Sequence, residues 1–320
     1  MFRGPSVRIR NFQVGDEHVQ AEIYNEAAAR LPKLKLVTAE DVRRRSRSRD
    51  FDPATRFLAE VDGTVVGYCG FHSSGRTSYP WCRPGFEEVR QPLFARVIQA
   101  LIAGGYHSVF AAYRADWPEV ARFLLDNGFR HVRDMINFII SEADMPTRPS
   151  VHRNPLTPLQ PRDIPAVAQM GVGVLRTRTE EALRRHLFHN PYFSAESLFA
   201  VRDRSGDEPV AAGILVADIT YANPADLDAD MPCFRLGAFG AEDVQTKRVN
   251  GLFSFLTREN AETSSLALDL MGQALDQFED TVGGTLAAQV PSDAARLLRF
   301  YVRYFKRQGA FPVFERRFGL

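Results

Sequence analysis

Lys247, Arg248 and Gly251 place two cations and a glycine at the head of the apolar stretch Gly251–Leu256. Such a place suits phosphate. Backbone N–H groups at a helix start carry partial positive charge, and a glycine lets an anion approach the backbone closely. The stretch Lys247, Arg248, Val249, Asn250, Gly251, Leu252, Phe253 follows a strand-like run, Phe234–Gly240, and is read as opening a helix over Arg248–Glu259. Two carboxylates, Glu242 and Asp243, stand directly after that run, where either could accept a proton directly or through water. Tyr301 and Tyr304 lie three apart in Asp293–Arg307, so a helix puts both phenols on one face.

Other chemistries lack their parts. No pair of His, Cys or carboxylates has metal-ligand spacing, and no serine elbow or Walker loop occurs, so a metal site is not expected. His186 and His189 flank Leu187-Phe188 and read as packed or solvent-facing side chains. Cys69, Cys82 and Cys233 are odd in number and read as small buried hydrophobes. With 40 basic and 39 acidic residues, nothing in the bulk charge demands a nucleic acid or an anionic membrane. The five arginines of Arg43–Arg49 have Asp41, Asp50 and Asp52 beside them and read as a solvated helix face; the acidic Asn223–Asp230 reads as an exposed loop. No apolar run is long enough to span a bilayer, and Met1–Phe12 has no signal-peptide core; a cytoplasmic protein is expected.

These groups need a scaffold, and 320 residues exceed the usual size of one core. Five prolines between Met145 and Pro161 can continue neither a helix nor a central strand. The expected division is residues 1–145, a proline-rich linker 146–155, and residues 156–320. Both halves repeat one order of elements. A short strand leads to an aspartate at a helix head, Asp16 in one half and Asp163 in the other, each seven residues after an apolar strand position (Ile9, Leu156). Each aspartate is expected to cap its helix. A hairpin follows: Arg56–Glu60 and Thr64–Phe71 around Val61-Asp62-Gly63, then Ser197–Arg202 and Pro209–Asp218. A further strand and long helix come next, then a strand (Ser108–Tyr113, Gly284–Val290), a last helix, a glycine and a final strand. The glycine turns are Asn127-Gly128-Phe129 and Gln308-Gly309-Ala310-Phe311. This is α/β architecture with a mixed central sheet.

That order, with the Asn127-Gly128-Phe129 turn and the Arg248–Phe253 stretch, resembles the GNAT superfamily of acyl-CoA N-acyltransferases, twice over and across nearly the whole chain. The resemblance implies two tandem GNAT-like domains. It makes Arg248–Phe253 the counterpart of the family's [Q/R]-x-x-G-x-[G/A] loop for the pyrophosphate of CoA, with Phe253 departing at the last position. Acyl transfer to an amine needs a base for the ammonium nucleophile and an acid for the departing thiolate. The resemblance assigns the acid to Tyr301, with Tyr304 in reserve, and a base to Glu242 or Asp243. Backbone N–H groups near Phe239, Gly240 and Ala241 would steady the developing oxyanion. The first copy has Val89–Phe94 at the equivalent loop, where Pro92 removes a donor, and Phe123-Leu124-Leu125 in place of the tyrosine, so it reads as degenerate. The implied donor is acetyl-CoA or another acyl-CoA, and the acceptor an amine of a small molecule or peptide. Two alternatives stand beside this: an aminoacyl-tRNA-dependent transferase on the same fold, and a non-catalytic binding module.

Overall fold

The computed structural model describes residues 7–32, 34, 36–47, 51–141, 144, 146, 156–172, 179–189, 194–202, 207–217, 249–259, 262–276 and 285–319. The chain divides into two compact units, Met1–Arg133 with Phe311–Leu320, and Asp134–Ala310. This boundary lies upstream of the proline-rich segment expected to part residues 1–145 from 156–320. The reason is strand pairing. Met135–Ser141 is hydrogen-bonded residue for residue to Pro291–Thr285, which holds the end of the first copy in the second unit.

The first unit contains β1 (Val7–Asn11), α1 (Glu17–Ala27), α2 (Ala39–Ser46), β2 (Arg56–Val61), β3 (Thr64–Gly70), β4 (Trp81–Cys82), α3 (Arg90–Ala103), β5 (Ser108–Ala112) and α4 (Pro118–Asp126). β1 to β4 form an antiparallel sheet in chain order. The expected hairpin is present: Asp62 and Gly63 both take positive φ, 49° and 81°, as a two-residue turn matched to strand twist requires. Leu93, Phe94, Val97 and Leu101 make one face of α3 and pack with Ile23, Phe57, Val66 and Trp81. The Asn127-Gly128-Phe129 turn also forms. Gly128 sits at φ 79°, and the Phe129 N–H donates back to the Leu124 carbonyl, closing α4 and burying the Phe129 ring. Val313–Arg317, from the far end of the chain, pairs antiparallel with β5 and adds Phe314 to this core.

The second unit takes up β6 (Arg130–Ser141) from Asp134 onward. It continues through β7 (Leu156–Pro158), α5 (Ile164–Met170), α6 (Glu180–Phe188), β8 (Leu198–Arg202), β9 (Pro209–Ala217), β10 (Val249–Thr257), α7 (Thr263–Asp276), β11 (Thr285–Pro291) and α8 (Ala295–Tyr304). The strands lie in the order β6-β11-β10-β9-β8-β7, with β10 and β11 parallel and the other recorded pairs antiparallel. Alternate residues feed two cores. Ile139, Leu198, Ala200, Ala212, Ile214 and Ala287 pack against α5 and α6. Phe138, Phe199, Leu215, Phe255, Ala288 and Val290 pack against α7 and α8. The last strand, β12 (Lys306–Arg317), starts in this unit, with Gly309 inside it rather than in the turn expected after the final helix. Among the described residues no helix is long and apolar enough to cross a membrane.

The duplication reaches atomic detail. Asp16 and Asp163 precede α1 and α5 as expected, but neither carboxylate caps its α-helix. Each instead accepts from an N–H three residues back, Gln13 at 2.7 Å and Gln160 at 2.8 Å. Each is also clamped by a guanidinium: Arg10 at 2.6 and 2.8 Å, Arg202 at 3.1 and 2.7 Å. Arg10 comes from the first strand of its copy and Arg202 from the second strand of the other. For Asp16, burial pushes the carboxyl pKa up, but the bonds from Arg10 and Gln13 outweigh it and hold it below the ordinary value.

Candidate active site

Val249, Asn250, Gly251, Leu252 and Phe253 do not form a loop ahead of a helix. They open β10, whose backbone pairs with β9 from Gly251↔Ala217 to Thr257↔Ala211. The apolar run Gly251–Leu256, read as helical, is a central strand because the neighbouring strands supply its hydrogen-bond partners. The strand-to-helix junction therefore lies further on, between Thr257, the last residue of β10, and Thr263, the first of α7. Phe239, Gly240, Ala241, Glu242, Asp243, Lys247 and Arg248 lie outside the described residues.

Among the described residues β10 and β11 pair in parallel only at Val249↔Thr285, Gly251↔Leu286 and Leu252↔Ala287, with an irregularity after Val249. Beyond Leu252 and Ala287 they part. Ser254–Thr257 stays bonded to β9, and Ala288–Pro291 to β6. A gap between two parallel strands exposes backbone groups along both its edges.

Tyr301 reaches into this gap. It lies on α8, nearly inaccessible to solvent at 1%, with its ring against Phe138, Phe255, Phe300 and Phe305 at centroid distances of 5.8, 5.6, 5.3 and 4.9 Å. Its hydroxyl is hydrogen-bonded to Ser254. Ser254 is the register partner of Ile214, which faces α5 and α6, while the Tyr301 ring packs on the α7/α8 side. The bond therefore runs through the gap. Burial pushes the Tyr301 phenol pKa up, offset in part by Ser254, so the hydroxyl keeps its proton at neutral pH. Tyr304, the last residue of α8, is half-buried; its ring touches Phe300, and the Arg303 guanidinium lies 5.3 Å over it. The two tyrosines share a helix face as expected, but of the two it is Tyr301 whose bond crosses the gap.

At the head of α7, the Leu266 N–H is bonded to the Glu262 carbonyl; the first N–H groups of an α-helix point out of its N-terminus, where the helix dipole is positive. Thr257 and Thr263 join their hydroxyls across the junction at 3.1 Å. The Arg258 guanidinium meets Glu208 at 2.7 Å, and Arg296 of α8 donates to the Arg258 carbonyl at 3.3 Å. Arg258 and Arg296 thus meet where β10 gives way to α7. The sequence signal for this place was Arg258 at the head of the Thr263–Asp276 helix. Reading the apolar run Gly251–Leu256 as helical sets the helix start one element too early and hides it.

The first unit has a smaller counterpart of the gap. Thr77 and Phe110 meet through the parallel bridge Arg76↔Phe110, and then the chains separate. Here the Tyr113 hydroxyl accepts the Tyr79 N–H, closing the opening from within. Val89–Phe94 is not a loop either: Arg90 begins α3, and its guanidinium lies 5.7 Å over the Tyr79 ring. Burial pushes the Cys69 and Cys82 thiols up to about 12, which leaves them protonated and inert, as expected of buried cysteines. Among the described residues no group of three His, Cys, Asp or Glu could hold a metal.

No family model and no curated protein matches the chain. Solved structures match its fold. A GCN5-related N-acetyltransferase from Sphaerobacter thermophilus aligns with a TM-score of 0.67 over 98% of this chain and 97% of that one, at 15% identity. A GCN5-related glucosamine N-acetyltransferase region of a fungal multi-domain GH3 β-N-acetylglucosaminidase gives 0.67 at 12% identity, covering 98% of this chain and 38% of that one. A tandem GNAT protein from the clavulanic acid biosynthesis pathway gives 0.55 at 12% identity, over 98% and 99%. The chain has the tandem GNAT acyltransferase fold, a mixed α/β architecture present in two copies. At these identities the likeness establishes the fold, and the chemistry must be argued from the residues.

Proposed function

We propose that this protein is an N-acyltransferase that moves an acetyl or other acyl group from acyl-CoA to an amine of a small molecule or peptide, at the β10/β11 gap of the second unit. The observation that carries this is the parting of the two parallel strands after Leu252 and Ala287, with the Tyr301 hydroxyl held in the gap by Ser254. The residues present fit the donor. Exposed strand edges suit the pantetheine amides, and the N-terminus of α7 with Arg258 and Arg296 suits the pyrophosphate. Glu208, Glu259 and Glu262 oppose an anion there, and binding would draw Arg258 away from Glu208, an exposed pair that contributes little to stability.

An acyl-CoA bound in the gap supplies an activated thioester carbonyl. Tyr301 holds a proton on Oη, kept there by burial, and can give it to a departing thiolate. The rings of Phe138, Phe255, Phe300 and Phe305 keep water from that proton and fix its direction. Glu242 retains its proposed role as the base. The first unit, its opening closed by Tyr113, serves as a scaffold.

Thermal-shift titration with CoA and acetyl-CoA tests the reading. A ligand at about 100 times its dissociation constant raises stability by roughly 2.7 kcal/mol. Wild type should shift, and Arg258→Ala with Arg296→Ala should shift at least tenfold less sensitively. No shift in wild type overturns the proposal. A shift undiminished in the double variant moves the pyrophosphate away from α7.

A further inference from the structure

We infer that Asn137 and Gln289 form the subsite that receives the acceptor, binding a neutral hydrogen-bonding group, a hydroxyl or an amide, carried beside its amine. The inference rests on the acyl-transfer reading of the gap.

The two residues are register partners on β6 and β11. Ala287 and Ile139 face α5 and α6, so Gln289, two residues beyond Ala287, and Asn137, two before Ile139, lie on that face as well. Ser254 lies on the same face across the gap, two residues past Leu252, the register partner of Ala287. One row of the sheet therefore reads Ile139, Ala287, and the next reads Asn137, Gln289, gap, Ser254, Ile214. The change from apolar to polar falls at the level where the strands part.

A pair needed only for register would satisfy itself. This one does not. Gln289 Nε2 donates to Asn137 Oδ1 at 2.9 Å, and no other side-chain bond to either amide is found among the described residues. Asn137 is 3% exposed and Gln289 is half-buried, and neither amide is sealed from solvent with its bonds unmade, so a small partner can reach both. Turning both amides over reverses the mutual bond and still leaves N–H donors and one carbonyl unused. Amides with spare N–H donors and a spare carbonyl can bond a donor–acceptor group that reaches them beside the gap. No side chain in the row carries a charge, so a neutral donor–acceptor group matches it better than a carboxylate or a second ammonium.

Binding of glucosamine, glycinamide and n-propylamine to the full chain, measured by saturation-transfer NMR without CoA, tests this. Thiol release with acetyl-CoA and the melting temperature are followed in parallel. Glucosamine or glycinamide should bind wild type at least tenfold more tightly than n-propylamine. Asn137→Leu and Gln289→Leu should each abolish that preference without lowering the melting temperature. Equal binding of the three amines, or of wild type and Asn137→Leu, overturns the subsite. So does a lower melting temperature with binding unchanged, which is the mark of a pair that only sets register. The preference without thiol release from any amine would reject acyl transfer and leave the subsite standing. Thiol release with an unchanged acceptor KM in both variants would do the reverse.

Discussion

Tyr301→Phe separates packing from chemistry, because the two roles of this side chain have different sizes. The phenylalanine ring keeps its place among Phe138, Phe255, Phe300 and Phe305, so no cavity opens and the apolar burial is unchanged. What is lost is one hydroxyl bonded to Ser254. A neutral hydrogen bond is worth about 0.5–1.5 kcal/mol net, and half-buried Ser254 can turn to another partner. Stability should fall by about 1 kcal/mol, or about 2–4 °C in melting temperature for a unit of this size. The rate should fall far more. Removing a positioned general acid costs about 10²–10⁴-fold, which at about 1.4 kcal/mol per decade is roughly 3–5 kcal/mol of barrier. Steady-state thiol release and calorimetry on the same preparation read both. A rate within threefold of wild type, with the small loss of stability, would show that Tyr301 only packs and would remove the acid from the mechanism. Tyr304→Phe is the control, and its rate should stay within threefold.

Asp16→Asn tests the Arg10 clamp through pH. The folded-state pKa of Asp16 is lowered, so its stabilisation is complete above the unfolded value of about 3.9 and fades as pH falls through the folded value. Urea unfolding should therefore show a gap between wild type and variant at pH 7 that narrows below about pH 4; a constant gap would contradict the assignment. Gly213→Ala would drive a Cβ into a terminal methyl of buried Leu270, where α7 crosses β9, and should cost about 1–3 kcal/mol by overpacking. A neutral result in chemical denaturation would mean that α7 is free to retreat. Tyr113→Phe leaves the Tyr79 N–H without its acceptor and should cost about 1–3 kcal/mol while leaving thiol release unchanged. A loss of rate there would give the first unit a part in the chemistry.

Local chemistry made a large share of the fold legible. The Asp62-Gly63 turn needs two residues tolerant of positive φ, and the sequence offers such a pair between two strand-like runs. Gly128 ends α4 for the same reason, and the Asp16 and Asp163 positions show the duplication before any coordinate does. The capping role expected of those aspartates was wrong in direction, because the competing guanidiniums come from Arg10 and from Arg202, 39 residues away from its aspartate. Tyr301 was legible as a candidate from its place in an amphipathic helix after a strand. Its bond to Ser254 was not, since nothing local joins the two.

By itself the sequence determined the two-copy order, the Asp62-Gly63 and Gly128 turns and the helix that bears Tyr301, each written in residues within a few positions of one another. Only the tertiary structure decided that Val249–Thr257 is a strand, that the units divide within β6 and within β12, and that a gap opens after Leu252 and Ala287. A short apolar run has no means of naming its own conformation. β10 becomes a strand because β9 and β11 complete its hydrogen bonds, and it yields a site because one of those partners leaves it partway along.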